Sequence, residues 1–158
     1  MEDVFQKLIL MIRAYYPVLY LHSYEYYRTK QKIKGIVELL RREGKKVNYY
    51  QWDCVYGLVQ ILPDKTEKRI ERMQNPLEVL AYILNSKKSG EKNIFVLDDI
   101  NNHIDRDEVK LMFRKIAEAT NNNTHAIILS SIYRLPAELE KYITAVSYTH
   151  LTLPTTPY

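Results

Sequence analysis

The stretch from Asn93 to Ile100 constrains the fold of this chain more than any other. Four consecutive apolar residues, Ile94 to Leu97, lead directly into two carboxylates, Asp98 and Asp99. A short, unbroken apolar run of this kind is typical of a strand buried on both faces, as in a parallel sheet covered by helices. Carboxylates at the carboxyl end of such a strand lie where open α/β sheets bind their ligands. The stretch therefore predicts a sheet centre with a candidate site at its end.

Strand and helix patterns alternate along the rest of the chain. Beside the central strand, strands are predicted at 18–21, 47–53, 126–129 and from 143 onward, with a short extension or hairpin at 55–62. Amphipathic helices are predicted at 4–13, 23–43, 75–85, 106–120 and 136–142, and an exposed loop with helical character at 63–74. Strands separated by helical crossovers imply parallel pairing with right-handed connections. The predicted fold class is α/β, with three layers built on a five-stranded parallel sheet.

Two polar residues are predicted to begin helices. Ser23 follows the first strand and is expected to cap the helix after it. Asn75 precedes Pro76, with Glu78 three residues after Asn75, which is the pattern of a capped helix start. These two signals place helix starts directly after a strand and directly after the charged segment.

Composition limits the functional classes. The chain has 158 residues, enough for one domain with a core, and its formal net charge of +4 is mild. No apolar run is long enough to cross a membrane. The single cysteine, Cys54, fits a reducing compartment and is interpreted as a small core residue, and the four histidines show no metal-ligand spacing. A cytoplasmic protein without a membrane or metal role is expected.

The segment after the first strand lacks the residues that bind phosphate. A phosphate-binding loop requires glycines, whose backbone N–H groups approach the phosphates, together with a Lys and a Ser or Thr. The corresponding segment, His22 to Lys30, contains no glycine and includes three tyrosines and a glutamate. The predicted sheet therefore lacks a P-loop.

Short motifs spread over residues 4–146 resemble one family of AAA+ ATPases. The motifs lie at 12–17, 50–53, 75–78, 94–99 and 127–141. Together they look like the N-terminal domain of the conserved chloroplast open-reading-frame type, found in algae, cyanobacteria and other microbes. In that family this domain is a degenerate relative of the ATPase core, and a second domain with the functional P-loop follows it. The resemblance also adds the plastid stroma as a location for a plastid-encoded protein.

The resemblance assigns positions to three polar residues. Asp98 occupies the Walker B-like position of a magnesium ligand, Asp99 stands where many AAA+ enzymes have a Glu base, and Ser130 ends the fourth strand at the sensor position. The alternative is that both acids only bind backbone groups and Ser130 in a vestigial cleft. We expect the vestigial cleft, with no catalytic residue, metal or cofactor in this chain. Arg134 is either a ring-interface residue or an ordinary surface arginine.

The end of the chain suggests a domain boundary. Residues 1–146 are predicted to form the degenerate AAA+-like domain, and residues 146–155 look like a translated sequencing adapter. We therefore expect 147–158 to be an artefactual tail and the downstream ATPase domain, with its ATP and magnesium, to be missing. A natural Thr/Pro-rich tail is the alternative.

The predicted function is that of a non-catalytic N-terminal regulatory or assembly domain of an AAA+ ATPase. Its expected partners are the ATPase domain of the same chain and further copies in a homo-oligomer. The intact protein is expected to be an ATPase, and this chain alone is not. Two alternatives remain: a nucleotide sensor without hydrolysis, and a nucleic-acid-binding module. The second would use exposed tyrosines and a basic helix face formed by Lys30, Lys34, Arg41 and Arg42.

Overall fold

The structure, a computed structural model, describes residues 2–119 and 123–148. These residues form helices and strands that alternate along the chain, with three short 3₁₀ turns between them. The helices are α1 (Glu2–Arg13), α2 (Tyr26–Arg42), α3 (Pro76–Ser86) and α4 (Asp107–Glu118). The strands are β1 (Val18–Ser23), β2 (Val47–Asp53), β3 (Gly57–Ile61), β4 (Glu67–Glu71), β5 (Lys92–Asp98), β6 (Thr124–Ser130) and β7 (Thr144–Tyr148).

All seven strands belong to one sheet in the order β4-β3-β2-β5-β6-β1-β7. The five strands from β2 to β7 in this order pair in parallel, and β3 and β4 add an antiparallel hairpin beside β2. The α/β class and the five parallel strands are confirmed, although the sheet has seven strands rather than five. We call the edge where the parallel strands begin the amino edge and the edge where they end the carboxyl edge.

Side-chain alternation along the central strands builds the three layers. On β5, Ile94 and Val96 face a core formed with α1 and α2, whereas Phe95 and Leu97 face a core formed with α3 and α4. All four side chains are fully buried. Because apolar residues occupy both faces, a continuous apolar run is required here. The central strand therefore places Asp98 at the carboxyl edge.

Three local predictions differ from the structure. Residues Glu67–Glu71 form strand β4 rather than a loop, since their backbone pairs with β3 while most of their side chains stay exposed. Ser23 does not cap α2: the residue before the helix is Glu25, whose backbone N–H donates to Ser23 Oγ over 3.1 Å. Cys54 lies exposed in the turn between β2 and β3, not in the core.

The helix start predicted at Asn75 is confirmed, whereas the helix predicted at 136–142 is wrong. The Asn75 side chain accepts a hydrogen bond from the Leu77 N–H over 2.9 Å, with Pro76 in the first turn, as predicted. The short helix predicted at 136–142 is reduced to a 3₁₀ turn at Ala137–Leu139. Within residues 2–119 and 123–148, no helix combines the length and apolar character needed to cross a bilayer.

Gly57 provides a test of the β2–β3 hairpin. Its φ is +81°, and an added Cβ would lie 2.9 Å from the backbone N of Met73 and 3.1 Å from the backbone O of Glu71. We expect Gly57→Ala to lower the free energy of unfolding by about 3 kcal/mol, because backbone atoms cannot move away cheaply.

The matched control is Gly44→Ala, where φ is +90° but no atom lies within 4 Å of the added Cβ. This change should lower the free energy of unfolding by only about 1 kcal/mol, which is the penalty for a residue with a Cβ in the left-handed conformation. Urea unfolding of both variants measures the difference. Equal losses would show that the close backbone approach at Gly57 is unimportant.

Candidate functional site

The polar residues that the sequence singled out lie together at the carboxyl edge. Asp98 ends β5 and pairs in register with Leu129 of β6, whose next residue is Ser130. The backbone N–H of Asp99 donates to the Leu129 carbonyl over 2.9 Å. Asp99 has a φ of +58°, a left-handed conformation that few residues other than glycine adopt. This turn separates the two neighbouring carboxylates as the chain leaves the sheet.

Lys30, on α2, forms an ion pair with Asp98. Its Nζ donates to Asp98 Oδ2, and the two side chains are 22% and 14% exposed. Burial raises the pKa of Asp98, and the charges of Asp99 and Asp53 act in the same direction, while Lys30 lowers it. Asp98 Oδ1 is buried and has no hydrogen-bond partner among the described residues. The carboxylate thus depends on a single lysine for its charge compensation.

Tyr26, one turn before Lys30 on the same helix face, binds the other acid. Its hydroxyl donates to Asp99 Oδ1 over 2.5 Å and accepts from the backbone N–H of Ser131 over 2.9 Å. Residues four apart lie on the same side of a helix, so Tyr26 and Lys30 reach Asp99 and Asp98 together. The first two turns of α2 are therefore bound to the ends of both β5 and β6.

Ser130 does not bind Asp98. Its side chain is 1% exposed, and its Oγ accepts from the backbone N–H of Ile132 over 3.1 Å. The prediction that both acids bind backbone groups and Ser130 is wrong about their partners, which are Lys30 and Tyr26. Arg134 is exposed, and its Nη1 donates to Asn102 Oδ1 over 3.4 Å.

Sequence reasoning missed Tyr26 and assigned no partner to Lys30. The available signal was their spacing of four on a predicted helix that begins beside the acids. That spacing defines a common helix face but not which strand end the face meets. The crossing of α2 over the sheet decides the pairing, and this is a property of the folded chain.

The aromatic residues divide between the core and the surface. Trp52 is 2% exposed and donates through Nε1 to the Met73 carbonyl, as expected of a core residue. Tyr20, Tyr49 and Tyr50 are also buried. Five other tyrosines of the first third are exposed: Tyr15, Tyr16, Tyr24, Tyr27 and Tyr56. Both buried and exposed tyrosines therefore contribute to the aromatic content of this part of the chain.

The basic face that would serve a nucleic-acid module is partly engaged within the protein. Lys30 is paired with Asp98, and Arg41 donates through Nε and Nη2 to the Val47 carbonyl over 3.1 and 2.8 Å. Lys34 is partly buried and Arg42 is exposed. Two of the four cations thus have intramolecular partners at a fixed position.

The residues that the structure describes contain no group of three or more His, Cys, Asp or Glu side chains able to hold a metal ion. Beside Lys30 lies a cavity of about 130 Å³, lined in part by Asp53, Tyr56 and Glu67. Small-molecule sites typically measure about 300–1,000 Å³. This cavity is smaller than such sites, and neither Asp98 nor Asp99 is among the residues that line it.

Removing Lys30 tests the dependence of Asp98 on its ion-pair partner. We expect Lys30→Met to lower the free energy of unfolding by about 2 kcal/mol near neutral pH, since a largely buried carboxylate is left uncompensated. Without Lys30, the remaining influences on the pKa of Asp98 all raise it. A raised carboxyl pKa favours the protonated form in the fold, so the loss should shrink as the pH falls from 7.5 to 5.

The double variant Lys30→Met/Asp98→Leu should recover to within about 1 kcal/mol of the wild type, because both members of the pair are then apolar. Lys46→Met, which breaks the exposed Lys46–Glu91 pair, is the control and should change little. Urea unfolding at both pH values measures all three. If Lys30→Met lowers the free energy of unfolding no more than Lys46→Met does, Asp98 does not depend on Lys30 for charge compensation.

Comparison with known proteins now adds to this geometry. The family model described as "SpoVK-like AAA ATPase, N-terminal domain" matches residues 4–148. The chain is 26% identical over 147 residues to "Uncharacterized AAA domain-containing protein ycf46" of Guillardia theta, covering 92% of this chain and 26% of that protein. It is 24% identical over 143 residues to the protein of the same description from Trieres chinensis, covering 90% and 27%.

The chain thus spans about a quarter of the length of these curated relatives. The family match covers most of the chain and includes every described strand of the sheet. The α/β architecture agrees with the resemblance noted in the sequence. The chain therefore belongs to the family of SpoVK-like AAA ATPase N-terminal domains.

Proposed function

We propose that this chain is a non-catalytic N-terminal domain that regulates or assembles an AAA+ ATPase. The observation that carries the proposal is the occupation of its acid pair by Tyr26 and Lys30. In P-loop enzymes a carboxylate at this position holds magnesium, and the loop backbone and its lysine hold phosphates. Here both acids already have intramolecular partners from α2. The site is a degenerate P-loop site that has been closed by its own helix.

The residues present do not fit a magnesium–nucleotide complex. The β1–α2 connection contains no glycine that would let backbone N–H groups surround a phosphate. Tyr26 accepts the hydrogen bond of the Ser131 N–H, which removes one of the donors at the end of β6. The cavity of about 130 Å³ beside Lys30 would not hold a nucleotide. No hydrolytic step is assigned to this chain.

ATP hydrolysis belongs to the AAA domain of the intact protein in this proposal. Both relatives are described as AAA domain-containing proteins, and this chain covers only 26% and 27% of them. ATP and magnesium would be used there, and that domain is the expected partner of this one. Assembly into a homo-oligomer belongs to the same proposal. An uninterrupted reading frame encoding a P-loop beyond the matched region would support it.

The β1–α2 geometry also bears on the two alternative functions. A nucleotide sensor would have to displace both Tyr26 and Lys30 from their carboxylates. A nucleic-acid module would have to work without Lys30 and Arg41, which are engaged elsewhere. Binding to a single-stranded oligonucleotide that weakens steeply with salt would favour the second alternative.

Nucleotide binding and turnover by the purified chain test the proposal. We expect no heat of binding in calorimetry with ATP and magnesium, and no ATPase activity above a buffer control. Asp98→Asn should leave both results unchanged, because Asp98 holds Lys30 rather than magnesium. Turnover that Asp98→Asn abolishes would overturn the proposal, and heat of binding without turnover would establish the nucleotide sensor.

A further inference from the structure

Two basic side chains contact each other in the interior at the amino edge. Lys92 is the first residue of β5 and His125 the second of β6, and they are 9% and 0% exposed. Lys92 Nζ lies 2.8 Å from His125 Nε2. An ammonium group can only donate, so Nε2 must accept and the ring hydrogen must be on Nδ1. The imidazole is therefore neutral in this arrangement.

Lys92 binds the last turn of α1, and His125 binds the connection between α1 and β1. His125 Nδ1 donates to the Tyr16 carbonyl over 2.7 Å, and Lys92 Nζ donates to the Ile12 carbonyl over 3.3 Å. The ring of Tyr15, whose φ is +64°, lies with its centroid 5.3 Å from Lys92 Nζ. The pair thus holds the end of α1 and the turn after it. The segment that the pair binds is the motif at 12–17, which the site at the carboxyl edge does not explain.

The charges of nearby lysines oppose additional protons on the pair. Lys45, in the connection between α2 and β2, acts on Lys92, and Lys87, after α3, acts on His125. Glu91, the acid adjacent in sequence, is instead bound by Lys46 and Asn48. Burial and the charge of Lys92 lower the pKa of His125 to about 3, and burial with Lys45 lowers the pKa of Lys92 to about 8.

Helix α1 covers an apolar surface that its release would uncover. Leu8 and Ile12 of α1 pack in the same core as Leu19 of β1 and Val146 of β7. Phe5 contacts Tyr148 edge to face, with ring centroids 5.1 Å apart. An exposed patch made of these strand residues would be a potential surface for protein association.

We propose that the Lys92–His125 pair is a proton-sensitive device that holds α1 over β1 and β7 and releases it in acid. A protonated imidazole has no lone pair at Nε2, so it cannot accept from Lys92, and two cations would then face each other. Release of the α1–β1 connection admits water to His125. Water can then bind the protonated imidazole and weaken its repulsion with Lys92. This inference concerns the amino edge and is independent of the closed acid pair at the carboxyl edge.

The sign of the pH dependence follows from the two side chains. His125 has an ordinary pKa of 6.5 once released and a pKa of about 3 when held, so release takes up a proton below pH 6.5. Between pH 7.5 and pH 5 this linkage increases the equilibrium constant for release about 30-fold. Lys92 acts in the same direction between pH 8 and 10.5, so attachment strengthens as the pH rises.

Amide hydrogen exchange of the purified chain, corrected for intrinsic exchange rates, tests the proposal at pH 7.5 and pH 5. We expect protection of the α1 amides to fall about 30-fold, while protection of the α4 amides changes much less. His125→Gln can still donate to Tyr16 and accept from Lys92 but does not titrate, so its α1 protection should not depend on pH. His103→Gln, in the turn after β5, is the matched control and should retain the wild-type response.

Three results would overturn the proposal. One is wild-type α1 protection that does not change with pH, and another is an equal fall in α1 and α4, which would indicate global acid unfolding. The third is a pH response in His125→Gln equal to that of the wild type. If His125→Gln fails to fold, the comparison of α1 and α4 protection in the wild type at the two pH values still tests the proposal.

Discussion

The ion pair between Lys30 and Asp98 fixes how α2 meets the carboxyl edge of the sheet. Asp98 must lie at the end of the central strand, because the apolar run before it fills both faces of the sheet. A carboxylate buried there requires a positive partner, and Lys30 supplies it from the second turn of α2. Once that contact is made, Tyr26 falls beside Asp99 and Ser131. Side chains of α2 thereby lie against both carboxylates at this end of the sheet.

The two edges of the sheet bury side chains of opposite type, acids at the carboxyl edge and basic groups at the amino edge. At the carboxyl edge, two neighbouring acids are compensated by a lysine and a tyrosine hydroxyl. At the amino edge, the partners of Lys92 and His125 among the described residues are carbonyl oxygens, an aromatic ring and each other. The first arrangement attaches α2 to the ends of the strands, whereas the second attaches α1. Both use buried polar groups, which are costly to leave without partners, to fix the position of a helix against the sheet.

The sequence predicted those parts of the fold in which burial leaves a clear pattern. The apolar runs at 94–97 and 126–129 belong to strands buried on both faces, and their lengths and polar ends define them. Strand β4 escaped prediction because it is an exposed edge strand that pairs only through its backbone, so its side chains carry no alternation. Cys54 was misplaced for a related reason, since residue type alone does not reveal an exposed hairpin turn.

The candidate site was predictable in its acids but not in their partners. Asp98 and Asp99 follow from the strand that they end, whereas their contacts with Lys30 and Tyr26 join residues 68 and 73 positions apart. Such pairings depend on tertiary geometry, which periodicity does not encode. The same holds for Lys92 and His125, two strand residues 33 positions apart that the parallel register brings together.

The most direct test of the central claim is the carboxyl ¹³C chemical shift of Asp98, followed by NMR while magnesium and a non-hydrolysable ATP analogue are added. The closed site predicts that this shift and that of Asp99 stay unchanged at cellular nucleotide concentrations, since Lys30 and Tyr26 keep both carboxylates. A saturable change in the Asp98 shift that requires both magnesium and nucleotide would contradict the account.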